Sequence, residues 1–229
     1  MTSKVEVYHY LIRLLSELGL ALRIPTSFVV IEFIGTFAFA LSGIRLASAK
    51  RFDVFGAWIV GIATAIGGGT IRDLMLGLQP FWMTNSIYFI CCAIAVVWVM
   101  AFRRYLVHQT NAWFIFDTIG LALFNVIGIE KTLGCGLPYW TAITMGCMTG
   151  AAGGVIRDVL INEVPLIFRK EIYAMACVAG GIVYMLCHLA DMPAEVSALL
   201  SSVTVVGIRV LAVKYHWHLP ILKGEEEAM

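Results

Sequence analysis

Ionisable side chains set in otherwise apolar sequence are the first residues that need a reason. Arg72-Asp73 and Arg157-Asp158 each lie near the end of a long apolar run, and two carboxylates, Glu32 and Asp117, sit early in two others. An ionisable group at membrane depth costs about 2.5–3.5 kcal/mol on insertion scales, so such groups should face the interior and be paired. Paired there, they clamp helices together, line an ion path, or do both. Just before each Arg-Asp pair comes glycine: Gly67-Gly68-Gly69-Thr70 in one case and Gly153-Gly154 in the other. Each glycine costs about 1 kcal/mol against alanine in a helix, so consecutive glycines should loosen or break one. Freed carbonyls at membrane depth coordinate cations, and freed N–H groups face anions. Close helix packing also uses small residues, so both readings of the glycines stand. No Ser/His/Asp set, His-Glu-x-x-His or phosphate loop is present, and no catalytic residue is assigned. An enzyme is not expected.

These stretches are two copies of one unit. At a constant offset of 85, Gly68-Gly69 matches Gly153-Gly154, Arg72-Asp73 matches Arg157-Asp158, and Pro80 matches Pro165. The same offset pairs Gly35 with Gly120, Phe39 with Phe124, Gly43 with Gly128, Thr64 with Thr149, and Glu32 with Asp117. From Glu32 to Pro80, 14 of 49 positions are identical. Apolar matches arise freely in a chain this apolar; paired glycines followed by a shared Arg-Asp do not.

The elements that must hold these residues follow from composition. The 229 residues are 60% hydrophobic and 14% charged, with a net charge of +1. Soluble domains carry about 25% charged residues, so the chain is expected to be an integral membrane protein whose partner is the lipid bilayer, not nucleic acid. The six cysteines show no Cys-x-x-Cys spacing and read as small buried side chains. A span needs about 20 helical residues. Seven are expected, near 27–47, 54–77, 84–102, 112–130, 138–161, 171–190 and 195–214. An amphipathic segment over 1–26 precedes them and a soluble tail over 215–229 follows. The repeats then occupy 27–102 and 112–190, and the seventh helix, 195–214, stands apart. Three spans per copy is odd, so the copies must run in opposite directions. The fold class is therefore an all-α membrane protein, two inverted three-helix repeats plus a seventh helix. Glycine clusters at matching depths of both copies favour broken second and fifth helices. Ala57, Gly61 and Ala65, with Ala142, Gly146 and Gly150, form small-residue ridges for helix packing.

Antiparallel spans one and two set Glu32 level with Arg72, and the second copy sets Asp117 level with Arg157, which predicts two ion pairs. Positive charge gives the orientation. Arg45, Lys50, Arg51, Arg103, Arg104, Arg169, Lys170, Arg209, Lys214 and Lys223 fall on one side. Lys131 falls on the other, with Lys4, Arg13 and Arg23 of the N-terminal segment. The first side should be cytoplasmic, with the C-terminus inside and the N-terminus outside.

The motif Gly-Gly-Gly-Thr-Ile-Arg-Asp-Leu at 67–74 with Pro80-Phe81-Trp82, and Gly-Gly-Val-Ile-Arg-Asp-Val-Leu at 153–160 with Glu163-Val164-Pro165, resembles the prokaryotic TRIC (trimeric intracellular cation) channels. The resemblance runs over about residues 27–214. Some descriptions call the repeated unit a glycine transporter domain. The resemblance implies a homotrimer in a bacterial inner membrane, with one K⁺/Na⁺ pore per protomer lined at the glycines of kinked helices two and five. The Lys-Glu-Val signature of animal members is missing; Val155-Ile156-Arg157-Asp158 stands in the second repeat. Their pore lysine and phosphoinositide site therefore do not transfer. As a channel, the chain would pass ions beside Gly67, Gly68, Gly69, Gly153 and Gly154. The hydroxyls of Thr64, Thr70 and Thr149 would solvate them, and Glu32, Asp73, Asp117 and Asp158 would offset Arg72 and Arg157. It needs no cofactor or metal beyond the permeating cation. A secondary transporter of a small zwitterion such as glycine is the alternative, since broken helices suit both. A non-conducting scaffold would leave the doubled charges unexplained.

Overall fold

The computed structural model describes residues 26–102, 112–169 and 172–217. Of the expected amphipathic segment over 1–26 only the last residue is among them, and the tail expected over 215–229 is described only as far as Trp217. The described residues form seven α-helices and no strand: α1 (Thr26–Ala49), α2 (Val54–Met75), α3 (Ile87–Ala101), α4 (Ala112–Gly134), α5 (Tyr139–Leu160), α6 (Ala174–Leu189) and α7 (Ala194–Lys214). By length and composition α1, α2, α4 and α7 are able to cross a membrane. Helices α3 and α6 are shorter than expected, at 15 and 16 residues. Each is preceded by a 3₁₀ turn, Phe81–Met83 or Leu166–Phe168, which Pro80 or Pro165 opens. Proline fixes φ and has no N–H to continue a helix.

The expected break in helices two and five is not there. Helix α2 runs continuously through Gly67-Gly68-Gly69, and α5 through Gly153-Gly154. Three glycines cost about 3 kcal/mol against alanine. Each backbone group left unsatisfied in an apolar interior costs several kcal/mol, so the intact ladder wins. The glycines serve close approach instead. A Cβ on Gly68 would run into the Thr149 carbonyl oxygen, and a Cβ on Gly153 into the Thr64 carbonyl oxygen. The small-residue ridges work in the same way one helix further out. Gly61 faces Ile44 and the Ala40 carbonyl of α1, and Gly146 faces the Asn125 carbonyl and Ile129 of α4.

These contacts also show the inversion. Residue 68 meets 149 while 64 meets 153, so α2 and α5 run antiparallel. Gly35 packs on Phe124 and Gly120 on Phe39, so α1 and α4 do the same. Each contact is the image of its twin under the 85-residue offset, which describes a two-fold exchange of the repeats. Phe39 and its image Phe124 stack on each other at that axis, 5.4 Å between centroids and 8° between planes.

The helix ends repeat as well. After α2, Gly77 has φ 70° and donates to the Leu74 carbonyl, while Leu78 donates to the Asp73 carbonyl. After α5, Asn162 has φ 54° and donates to Val159, while Glu163 donates to Asp158. Both are Schellman stops, with the two residue types that best tolerate the left-handed region. They turn the chain sharply into Pro80 and Pro165.

Two buried charge clusters and the seam between them

Each Arg-Asp pair sits in the last turns of its helix, where the stop bends the following 3₁₀ turn back over it. Asp73 Oδ2 accepts from the Phe81 N–H at 2.9 Å, and Asp158 Oδ2 accepts from the Leu166 N–H at 3.0 Å. The other oxygen of each carboxylate accepts from the Nε of the neighbouring arginine, at 2.8 Å in both copies. The aspartate therefore ties helix, turn and guanidinium together, and no sequence pattern of side chains alone would have revealed its backbone partner.

The first cluster gathers at Glu32. Arg72 Nη2 lies 3.7 Å from Glu32 Oε1, and Lys131 Nζ donates to the same oxygen at 3.1 Å. Tyr88 donates its hydroxyl to Glu32 Oε2 at 2.9 Å. Phe81 closes the floor, with the Arg72 guanidinium 5.7 Å and the Lys131 ammonium 5.2 Å from its ring centroid. Phe81 and Tyr88 meet edge to face at 4.5 Å. Cations over a desolvated aromatic face gain about 2 kcal/mol, which helps to offset the cost of burying them.

The second cluster gathers at Asp117. Arg157 Nη1 donates to Asp117 Oδ1 at 2.5 Å and to Ser42 Oγ at 2.8 Å, which reaches across to the first repeat. Arg209 Nη2 approaches Asp117 Oδ2 at 3.5 Å. Its guanidinium lies 4.7 Å from the Tyr173 centroid and 4.9 Å from that of Phe114. Arg72, Arg157 and Asp117 are fully buried, and Glu32, Asp73, Asp158, Lys131 and Arg209 nearly so.

Both ion pairs expected from antiparallel packing are thus present. Four partners were missed. Tyr88 and Tyr173 are themselves 85 residues apart, just past the window over which the copies were aligned. Lys131 lies 14 residues after Asp117 on α4, close to four helical turns and so on nearly the same face. Arg209 is a lone base in an apolar run, a pattern that calls for a buried partner. Lys131 and Arg209, expected near the ends of spans on opposite sides, are both buried, so neither marks a side.

Between the clusters runs the α2–α5 seam. Gly68 and Gly153 are buried there and Gly67 is half-buried against Ile156, while Gly69 and Gly154, also buried, face Phe81 and Tyr173 instead. Thr64 and Thr149, both buried, donate their hydroxyls back to the Val60 and Met145 carbonyls. Thr70 donates to Ile66 and accepts from Trp82 Nε1 at 2.9 Å. In this conformation the seam is shut where Gly68 and Gly153 meet the facing carbonyls. Outside the helices, Glu163 accepts from Lys50 at 2.5 Å and from Arg169 at 3.0 Å, joining the loop after α1 to the loop after α5. Lys50 chiefly, with Arg169, holds the Glu163 carboxyl below its ordinary pKa.

Two three-helix units of opposite direction, with a buried ion cluster at either end of their seam, define an inverted-repeat integral membrane protein. A family model described as "Glycine transporter" matches residues 29–104 and again 114–189. The UPF0126 inner membrane protein YadS of Escherichia coli K12 is 37% identical over 204 residues, 86% of this chain and 96% of the relative. A UPF0126 membrane protein of Vibrio cholerae is 42% identical over 200 residues, 83% of this chain and 81% of the relative. Among solved structures, the TRIC trimeric intracellular cation channel orthologue from Rhodobacter sphaeroides has TM-score 0.80 at 31% identity, covering 84% of this chain and 100% of that one. A structure solved to explain conductance through TRIC cation channels has TM-score 0.77 at 34% identity, covering 86% and 97%. The chain belongs to the UPF0126 family of membrane proteins, the prokaryotic TRIC channels. These relatives are membrane proteins and channels, not enzymes.

Proposed function

We propose that the chain is a passive channel for monovalent cations, K⁺ and Na⁺, with one path in each protomer of a homotrimer. One observation carries the reading: TRIC cation channels share its fold over 84–86% of its length at 31–34% identity. The path follows the α2–α5 seam past Thr64, Gly67, Gly68, Gly69 and Thr70, and past Thr149, Gly153 and Gly154. The clusters of Glu32, Arg72 and Asp73, and of Asp117, Arg157 and Asp158, stand at its two ends. The seam is shut at Gly68 and Gly153, so conduction requires α2 and α5 to part, and glycine leaves no side chain to interlock against that motion. No cofactor takes part.

The location is a bacterial inner membrane, as the name of the Escherichia coli relative supports. Arg45, Lys50, Arg51, Arg169 and Lys214, all at one end of the helices, support a cytoplasmic C-terminus and an external N-terminus. The family model's description keeps a zwitterion transporter in view as the alternative. That reading asks for half-helix termini at the midplane to hold a carboxylate and an ammonium, and the continuous α2 and α5 supply none. Purified protein in a planar bilayer under a KCl gradient tests the two. Discrete currents that reverse near the K⁺ potential are expected. A silent bilayer, with saturable and competable glycine uptake by proteoliposomes, would replace the channel with the transporter.

A further inference from the structure

Two polar links tie the end of α1 to the end of α5, and so one repeat to the other. Ser42 Oγ, buried on α1, accepts from Arg157 Nη1 at 2.8 Å. About two turns further along the chain, Lys50 Nζ donates to Glu163 Oε1 at 2.5 Å. The buried bond fixes the register of the two helix ends, so the exposed pair is set by the packing beneath it as well as by its own attraction. Both charged residues stand beside a left-handed stop: Lys50 just before Arg51, φ 63°, and Glu163 just after Asn162, φ 54°. The Glu163 N–H donates to the Asp158 carbonyl at 2.8 Å, which holds it to the end of α5. Glu163 also has a second partner. Arg169 Nη2 donates to its Oε2 at 3.0 Å, while Arg169 Nε donates to the Val164 carbonyl at 2.8 Å. The pair with Arg169 lies wholly within the loop after α5; the pair with Lys50 crosses between the repeats. Under the 85-residue offset the images of Lys50, Glu163 and Arg169 are Cys135, Leu78 and Thr84, so the opposite end of the seam has the makings of neither pair.

We infer that Lys50 and Glu163 form a latch that favours the shut seam, placed only at the end where α2 begins and α5 stops, with Arg169 the partner that Glu163 keeps whether the latch is closed or open. The inference rests on the channel reading. Lys50 lies four residues before Val54, the first of α2, and Glu163 three residues past Leu160, the last of α5. Parting of α2 from α5 at this end therefore draws the pair apart. Arg169 travels with Glu163, so the carboxylate retains one cation and exchanges only Lys50 for water. The two side chains of the latch are 42% and 39% exposed. An exposed pair contributes little, so the bias toward the shut seam is about two- to fivefold, enough to adjust opening and too little to prevent it. Salt sets its strength, because the Debye length falls from about 10 Å at 0.1 M to about 3 Å at 1 M.

The test is the ratio of open to closed time in single-channel records in symmetric KCl, read separately from the unitary current. Lys50→Met and Glu163→Gln should each raise that ratio about two- to fivefold in roughly 0.1 M KCl. The double variant should raise it no further than either single one, since both remove the same bond. Arg169→Met is the control. It removes one positive charge from the same end, so its effect on cation entry, and hence on unitary current, should resemble that of Lys50→Met. It leaves Glu163 dependent on Lys50 alone, however, and should not raise the ratio. A change to about 1 M KCl should raise the ratio in wild type and leave it unchanged in Lys50→Met. An unaltered ratio in both single variants, additive effects in the double, or a rise in Arg169→Met as large as that in Lys50→Met overturns the latch while the channel reading survives. Silent wild-type protein overturns the channel reading and the latch with it.

Discussion

Addition of one methyl group at Gly68 tests whether the glycines are there for helix crossing. The ideal Cβ at Gly68 falls closer to the Thr149 carbonyl oxygen than side chains ever come, and 3.3 Å from the Gly153 nitrogen. Both atoms belong to the backbone of a continuous helix, so neither can rotate aside. To reach ordinary van der Waals contact α2 and α5 must part by roughly 1.3 Å or more, and a gap of about 0.5–1 Å already forfeits about a quarter to a half of each dispersion contact along the seam. Overpacking of this kind costs about 1–3 kcal/mol, and the better helix propensity of alanine returns about 1 kcal/mol. Gly207→Ala isolates the propensity gain, since nothing among the described residues lies within 4 Å of a Cβ there. Gly67→Ala meets only the Ile156 Cδ1 at 2.6 Å, the far end of a flexible side chain, and should fall between.

Unfolding in detergent should therefore place Gly207→Ala about 1 kcal/mol above wild type and Gly68→Ala at or below it, a spread of about 1–3 kcal/mol. Gly153→Ala should match Gly68→Ala, because it strikes the Thr64 carbonyl through the same pseudo-two-fold. The double variant should cost less than the sum, since the first methyl opens the gap that the second needs. Gly68→Ala as stable as Gly207→Ala would refute the packing argument and restore a glycine break that faces open space.

Two further outcomes can be checked directly. Tyr88→Phe should cost about 1.5–3 kcal/mol in the same unfolding assay, because it removes a hydrogen bond to the buried Glu32 carboxylate. Tyr173→Phe should stay within about 0.5 kcal/mol, since its hydroxyl has no hydrogen-bond partner among the described residues. Equal losses would contradict the difference between the clusters. Glu163, whose folded pKa is depressed, stabilises the fold above its unfolded pKa and ceases to as pH falls through the lower folded value. The melting-temperature difference between wild type and Glu163→Gln should hold from pH 7 to about pH 5 and vanish on further acidification. It should also shrink in high salt, as a solvent-facing pair must; a difference that grows with acid would reverse the sign of the argument.

What could be read from sequence is what hydropathy and the repeat encode. Seven apolar runs give seven helices, and an odd number of spans per copy requires inversion; the contacts of Gly68 with Thr149 and of Thr64 with Gly153 bear that out. The pairing of Arg157 with Asp117 follows from spans of equal length running antiparallel. The glycine break expected from propensity and from the matched depth of the two clusters gives way to the close-packing reading. A run of three glycines is poor helix in water, but in an apolar interior the broken ladder costs more than the glycines do. Lys131 and Arg209 were misplaced for a related reason. Each lies within a turn or two of a helix end, where a base normally reaches the interface, and only tertiary packing decides whether it snorkels out or turns in. The expected spans 84–102 and 171–190 begin after the Phe81–Met83 and Leu166–Phe168 turns, and the helices start later still, at Ile87 and Ala174.

An inverted repeat duplicates whatever its motif provides, so differences between the two ends arise only where the copies differ. Four such places are visible. Glu32 stands against Asp117, one methylene shorter, and only the longer acid is met by its tyrosine: Tyr88 bonds Glu32, while Tyr173 does not bond Asp117. Phe81 stands against Leu166, so both cations of the first cluster lie over an aromatic floor that the second cluster lacks at that position. In the second cluster Arg209 takes its aromatic contacts from Phe114 and Tyr173 instead. Gly67 stands against Ala152, so the glycine run is longer in α2 than in α5. Lys131 and Arg209 come from unrelated positions. The shared residues, two Arg-Asp pairs and the crossing glycines Gly68 and Gly153, cannot be changed at one end without breaking the match between halves. The unshared ones can be changed at one end alone.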